Sequence, residues 1–320
     1  MKIAFFGTPD FAAGILSGVL EFPEVKIVLV VSQSDKPVGR KRELLPTPVK
    51  RIAVENNISI LQPEKVRKNL DFIEALKNLD LDFIVVVAYG KIIPQSILDI
   101  PKYGCINIHG SILPKYRGAS PVQSALKDGV KETWLTIMYM DKKMDEGDIL
   151  QIGKIAVDKD DTLPDLFAKM LQIWPALLID TLKKILSGEL LGEKQNHETA
   201  TYCGKFTKED GEVLFSSEST QEIYNKFRAF YEWPGIYTYY EGKKLNLEEV
   251  SLHEPPPQSS PYEGGKKAWS FIKLNKKTYG IACVDKKILL LHEVKLEGKK
   301  SMDIVSFVNG NRGILDYKCM

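Results

Sequence analysis

Short, continuous apolar runs punctuate the first part of the chain, each ending at turn-forming residues. Ile3 to Phe6 is closed by Gly7-Thr8-Pro9-Asp10, and Lys26 to Ser32 reads KIVLVVS. Phe83 to Ala88 reads FIVVVA before Tyr89-Gly90, and a fourth run extends from Gly104 to His109. Runs of this length predict strands covered on both faces, as in a parallel sheet. Phe11 to Leu20, Pro48 to Asn56, Asn69 to Leu79 and Val122 to Asp128 are helix-compatible and predict the crossovers between them. The expected architecture is α/β, with ligands bound beyond the carboxyl ends of the strands.

Beyond Asp145 come a β segment from Ile149 to Ala156 and a long helical stretch from Leu163 to Leu186. These complete a first domain over 1–189, and the polar residues 190–205 are expected to be a linker. The pattern then changes to short β-branched or aromatic segments: Gly235-Tyr240, Trp269-Leu274, Tyr279-Val284, Lys287-Val294 and Met302-Phe307. They predict a small β-rich domain over 206–320, with Pro255 to Gly265 as a loop.

Composition narrows the class. A chain of 320 residues suits two domains, and 44% hydrophobic with 27% charged residues is ordinary for a globular protein. A net charge of +2 gives no whole-chain signature of a nucleic-acid partner. Cys105, Cys203, Cys283 and Cys319 are widely spaced, which excludes a CxxC pair and fits a reducing compartment. The chain shows neither an apolar leader nor a run of about 18 apolar residues, so a soluble, cytoplasmic protein without membrane association is expected.

The densest polar chemistry follows the fourth apolar run, in NIHGSILPKYRGASPVQ from Asn107. Asn107 and His109 are two apart, so on a strand they share one face while Ile108 turns to the other. Two readings fit. They organise the next loop, or they form a reactive centre in which His109 is the best of four histidines for acid–base work near neutral pH. Asp145, in MDEGD, is either an Asx turn or the matching carboxylate. No strong metal-ligand set is present. The Gly7-Thr8 turn lacks both the GxGxxG and the GxxxxGK[ST] spacing.

Taken together, GTPDF, YGKIIP, HGSILPKYRGASP, DEGDI, ATYCGKFTKEDG and RAFYEWPG resemble the folate-dependent formyltransferase family. The resemblance implies a Rossmann-like N-terminal domain and a smaller OB-like β-barrel C-terminal domain that helps hold tRNA. It implies an enzyme of translation initiation that moves formyl from 10-formyltetrahydrofolate to the α-amino group of methionyl initiator tRNA, releasing tetrahydrofolate without a metal. Asn107, His109 and Asp145 match the family's catalytic trio. Val87, Ala88, Tyr89, Gly90, Ile92, Asp141 and Gly147 fall in its folate-binding region. Gly7, Thr8, Ser111, Leu113, Pro114 and Arg117 fall in motifs expected to meet the substrates. Arg40, with Lys41 and Arg42, matches a basic loop that approaches the tRNA acceptor stem.

Lys266 to Lys300 is also strongly basic and suits a phosphate-tracking face, although a solvated lysine-rich surface explains it equally. Trp269 and Tyr279 are expected to pack rather than stack on bases. No obligate protein partner is expected. The rivals are a formyltransferase acting on a sugar nucleotide or on glycinamide ribonucleotide, and an RNA-binding module without chemistry. DKPVGRKRELLPTPVK favours the tRNA-directed branch, and the intact trio argues against loss of chemistry.

Overall fold

A computed structural model describes residues 1–38, 43–253, 270–311 and 313–316. Arg40, Lys41, Arg42, Lys266, Lys267 and Trp269 lie outside the described residues. By contact the chain divides into two compact units. One comprises Met1–Pro121, Glu132–Val157 and Leu166–Gly204; the other comprises Val122–Lys131, Asp158–Asp165 and Lys205–Met320.

The first unit opens with β1 (Lys2–Gly7), α1 (Asp10–Leu20) and β2 (Lys26–Val31). A hairpin of β3 (Lys36–Val38) and β4 (Glu43–Leu45) precedes α2 (Pro48–Glu55), β5 (Ile60–Leu61) and α3 (Leu70–Lys77). Then come β6 (Phe83–Val87), α4 (Gln95–Leu98), β7 (Cys105–His109) and β8 (Arg117–Gly118); α5 (Pro121–Lys127), next in the chain, belongs from Val122 onward to the second unit. The series closes with β9 (Glu132–Tyr139), β10 (Ile149–Ala156), α6 (Leu163–Ser187) and β11 (Tyr202–Cys203). Helices α2 and α3 start at capping side chains. Thr47 accepts from Lys50 N at the head of α2, where Pro48 has no N–H that needs an acceptor, and Asn69 accepts from Phe72 N at the head of α3.

The main sheet has the order β10-β9-β7-β6-β1-β2-β5. The five strands β7 to β5 are parallel, as the apolar runs predict, and all five residues of β6 are buried. Two antiparallel strands extend the sheet past β7. The sequence pattern missed β9 because buried Thr133 and Thr136 interrupt its apolar run. The chain moves from β1 to β2 on one side, whereas β6 lies on the other side of β1. That topological switch point sits where Gly7 pairs with Val87, at the carboxyl ends of both strands.

In the second unit, α7 (Thr220–Ala229) precedes β12 (Ile236–Tyr240), β13 (Lys243–Leu252), β14 (Phe271–Lys273), β15 (Tyr279–Ala282), β16 (Ile288–Leu296), β17 (Met302–Asp303) and α8 (Ile304–Gly310). The strands form an antiparallel, OB-like half-barrel of order β12-β13-β16-β15-β14, with β17 on β16. Two expectations change here. Met302 to Phe307 is not one strand, because Asp303 accepts from Ser306 N and caps a helix that buries Ile304, Phe307 and Val308. The longest strand among the described residues, β13, is hidden in the sequence pattern because Asn246, Glu248 and Glu249 separate its buried Leu245, Leu247 and Val250.

Helix α7 starts with a Ser219–Glu222 capping box and buries Arg228 near its end. The Arg228 guanidinium donates to Asp158 O, Asp161 O and Asn225 Oδ1, while Tyr224 donates to Asp160. These acceptors are what permit a buried cation. Among the described residues, no helix is long and apolar enough to cross a membrane.

Candidate active site

The carboxyl end of β7 presents Asn107 and His109 on one face, opposite Met138 and Thr136 of β9. Asn107 is half-buried, and its amide has no hydrogen-bond partner among the described residues. His109 is buried, with Nε2 2.9 Å from Tyr116 O and Nδ1 3.7 Å from Asp145 Oδ2. A backbone carbonyl only accepts, so in the neutral ring Nε2 carries the hydrogen and Nδ1 is left with its lone pair. The 3.7 Å gap to Asp145 is too long for a direct hydrogen bond. Cys203 Sγ also donates to Tyr116 O, at 3.5 Å.

Asp145 belongs to the connection between β9 and β10 and has φ 56, a left-handed conformation that Asp tolerates better than most residues. Its Oδ2 accepts from Gly118 N at 2.8 Å. Gly118 has φ 123, and a Cβ there would stand 2.0 Å from Cys203 O, so the donor is delivered where only glycine fits. Gly147 leaves no space either, since its Cβ would lie 1.8 Å from Tyr139 O.

Arg117 is 1% exposed and lies beneath this turn. Its Nη2 donates to Gln195 Oε1 at 2.6 Å and approaches His197 Nδ1 at 3.1 Å; Nη1 faces Glu146 Oε1 at 3.5 Å. Gln195 Nε2 donates to Asp145 O and Gly147 O. Thus 190–205, read as a linker, supplies Gln195, His197 and β11 to the surroundings of Asp145, and β11 pairs with β8. Glu146 is half-buried against Arg117. Ser111 Oγ donates to Lys115 O, and Thr136 Oγ1 donates to Ser111 O while accepting from Leu113 N. These bonds fix the loop carrying Leu113 and Pro114. Nothing in one sequence distinguishes Gln195 or Thr136 from ordinary polar residues.

Gly7, Thr8 and Val87 to Gly90 meet at the switch point. Tyr89 O accepts from Thr8 Oγ1 at 3.2 Å and from Gln33 Nε2 at 2.8 Å, a role for Gln33 that sequence reasoning missed. Ala88 and Gly90 have positive φ. The Tyr89 ring is buried and its hydroxyl has no partner among the described residues; burial pushes the phenol up to about 12. Ile92 is 80% exposed, whereas its neighbour Ile93 is buried. Asp141 is exposed, and its backbone N lies 3.6 Å from where a Cβ on Gly147 would stand. The hairpin β3–β4 is fixed at its base, where Asp35 binds Lys50 Nζ (2.6 Å) and Gln62 Nε2 (2.7 Å) and Ser32 meets Thr47 (2.6 Å).

Residues 1–182 match the family described as "Formyl transferase", and 205–312 match "Formyl transferase, C-terminal domain". The methionyl-tRNA formyltransferase of Caldicellulosiruptor saccharolyticus is 43% identical, covering 97% of each chain. That of Caldanaerobacter subterraneus is 39% identical, again over 97% of each. Among solved structures, the N-formyltransferase of Helicobacter canadensis, with folinic acid and dTDP-3-aminofucose, superposes with TM-score 0.62 at 18% identity, over 91% of this chain and 98% of that one. HypX of Aquifex aeolicus, with tetrahydrofolic acid, gives 0.59 at 15% identity, over 98% of this chain and 47% of that one. These two likenesses are of fold.

Proposed function

The chain belongs to the formyltransferase family, and from that premise we propose that it formylates the α-amino group of methionyl initiator tRNA using 10-formyltetrahydrofolate. The observation that carries the proposal is the meeting of Asn107, His109 and Asp145 at the carboxyl end of β7. The near-full-length relatives that bear the methionyl-tRNA formyltransferase name support the choice of acceptor. Charged tRNA is a cytoplasmic substrate, which sets the place of the reaction.

The donor supplies a formyl carbon on a nitrogen that must leave protonated. As the amine forms its new C–N bond, the carbonyl electron pair moves onto oxygen, and the unengaged amide of Asn107 donates to that oxygen. An amine entering between His109 Nδ1 and Asp145 Oδ2 meets two acceptors across a 3.7 Å gap. The pair takes the surplus proton and returns one to the departing nitrogen, so neither group ends with a changed charge. Nε2 stays committed to Tyr116 O, which keeps Nδ1 as the working atom. The polar cradle of Thr8, Gln33 and the Tyr89 carbonyl fits a folate ring rich in donors and acceptors. We assign tRNA backbone contacts to the basic loop around Arg40 and to exposed lysines of the second unit, including Lys273, Lys276, Lys286, Lys287, Lys299 and Lys300.

Transfer of labelled formyl from 10-formyltetrahydrofolate tests the proposal, with initiator methionyl-tRNA, elongator methionyl-tRNA and an amino-sugar nucleotide as parallel acceptors. Formylation of the initiator species is expected. Product on the sugar nucleotide alone would overturn the assignment.

A further inference from the structure

Gln195 is 5% exposed, and its whole side chain is engaged around the Asp145 turn. Nε2 donates to Asp145 O at 2.9 Å and to Gly147 O at 2.7 Å. Oε1 accepts from Arg117 Nη2 at 2.6 Å and Nε at 3.2 Å. Two donated and two accepted hydrogen bonds are the complete complement of a glutamine amide. The turn it grips is one the backbone does not favour, with Asp145 at φ 56 and Gly147 pressed against Tyr139 O. Gly118 N holds the Asp145 carboxylate, while Gln195 holds the backbone that carries it.

We propose that Gln195 is a positioning residue for formyl transfer. It keeps the Asp145 turn in the conformation that faces the carboxylate toward His109 Nδ1, and Arg117 acts by holding Gln195 in place. The inference rests on the reading of Asn107, His109 and Asp145 as the reacting centre. Neither Gln195 nor Arg117 takes part in proton transfer. Their contribution is geometric, and a displacement of about 1 Å at a reacting group can cost about 100-fold in rate.

Gln195→Glu separates this role from general packing. The variant keeps both acceptor contacts to Arg117 but sets a carboxylate oxygen against two carbonyls, which cannot donate to it. The single-turnover rate is expected to fall about 100-fold, while KM for donor and tRNA stays within about threefold, the pattern of lost transition-state contacts. Acid should narrow the gap to wild type, because protonation of the introduced carboxylate restores one donor; a structural defect alone gives no such recovery. Gln195→Asn retains the amide but is too short to span both sides, and it should lower the same rate about tenfold with KM unchanged. It serves if the Gln195→Glu variant does not fold. Wild type runs first: if it fails to formylate methionyl-tRNA, the functional reading falls. If wild type is active and either folded variant matches it, or the loss lies in KM, the role assigned to Gln195 is wrong.

Discussion

Asn107→Ala separates the proposed chemistry from stability sharply, because this amide is assigned to the first and has no bond that serves the second among the described residues. The side chain is half-buried on β7 and has no hydrogen-bond partner among the described residues. Removing it orphans no protein donor or acceptor, so unfolding free energy should change by no more than about 1 kcal/mol. In a unit of this size that is about 2–4 °C in Tm. The same amide is the proposed donor to the developing oxyanion. Loss of one such donor typically costs about 10²–10³ in kcat, or roughly 2.7–4 kcal/mol. Asn107→Asp should be worse than alanine, since a carboxylate cannot donate and repels the oxyanion. Rapid-quench single turnovers with labelled donor measure the chemical step, and calorimetry on the same samples measures Tm. A rate within tenfold of wild type would refute the oxyanion role. A Tm drop of about 10 °C or more would refute the claim that the amide is structurally idle.

Gly118→Ala combines a φ of 123 with a Cβ 2.0 Å from Cys203 O, so a loss of about 3 kcal/mol or more is expected in denaturant melts, with formylation falling as the donor to Asp145 shifts. Tyr89→Phe removes a buried hydroxyl that has no partner among the described residues; stability should stay within about 1 kcal/mol, and KM for the folate should hold because Tyr89 binds Thr8 and Gln33 through its carbonyl. Gln62 and then Lys50 hold the Asp35 carboxyl below its usual value of 3.8. Folding therefore favours the ionised form, whose contribution is full above that value and disappears as pH falls through the lower folded-state value. Urea melts from about pH 6 to about pH 2 should show wild type losing stability more steeply than Asp35→Asn below about pH 4; parallel curves would refute the linkage.

The parallel half of the sheet was legible because its strands are uninterrupted apolar runs, and β6 is the plainest case. Strands β9 and β13 were not, because Thr133 and Thr136 in one and the charges between Leu245 and Val250 in the other mask which face is buried. The i, i+2 spacing of Asn107 and His109 puts them on one face of β7 from sequence alone. Asp145 required the family motif, since its approach to His109 depends on a turn stabilised by distant residues. Gln195 was invisible for the same reason. Its meaning lies entirely in partners 48 to 78 residues away in sequence.

The segments 122–131 and 158–165 fall inside the stretch matching the N-terminal family, yet they fold with the second unit. Modular exchange is constrained as a result. A recombination joint anywhere in 190–205 would transplant α7 without the carbonyls of Asp158 and Asp161, leaving Arg228 with Asn225 alone among those three acceptors. A buried cation stripped of two acceptors destabilises the graft that receives it. Either the two upstream segments travel with the C-terminal part, or position 228 must change with it. The inheritable module is therefore three discontinuous pieces of chain, although its family signature reads as one.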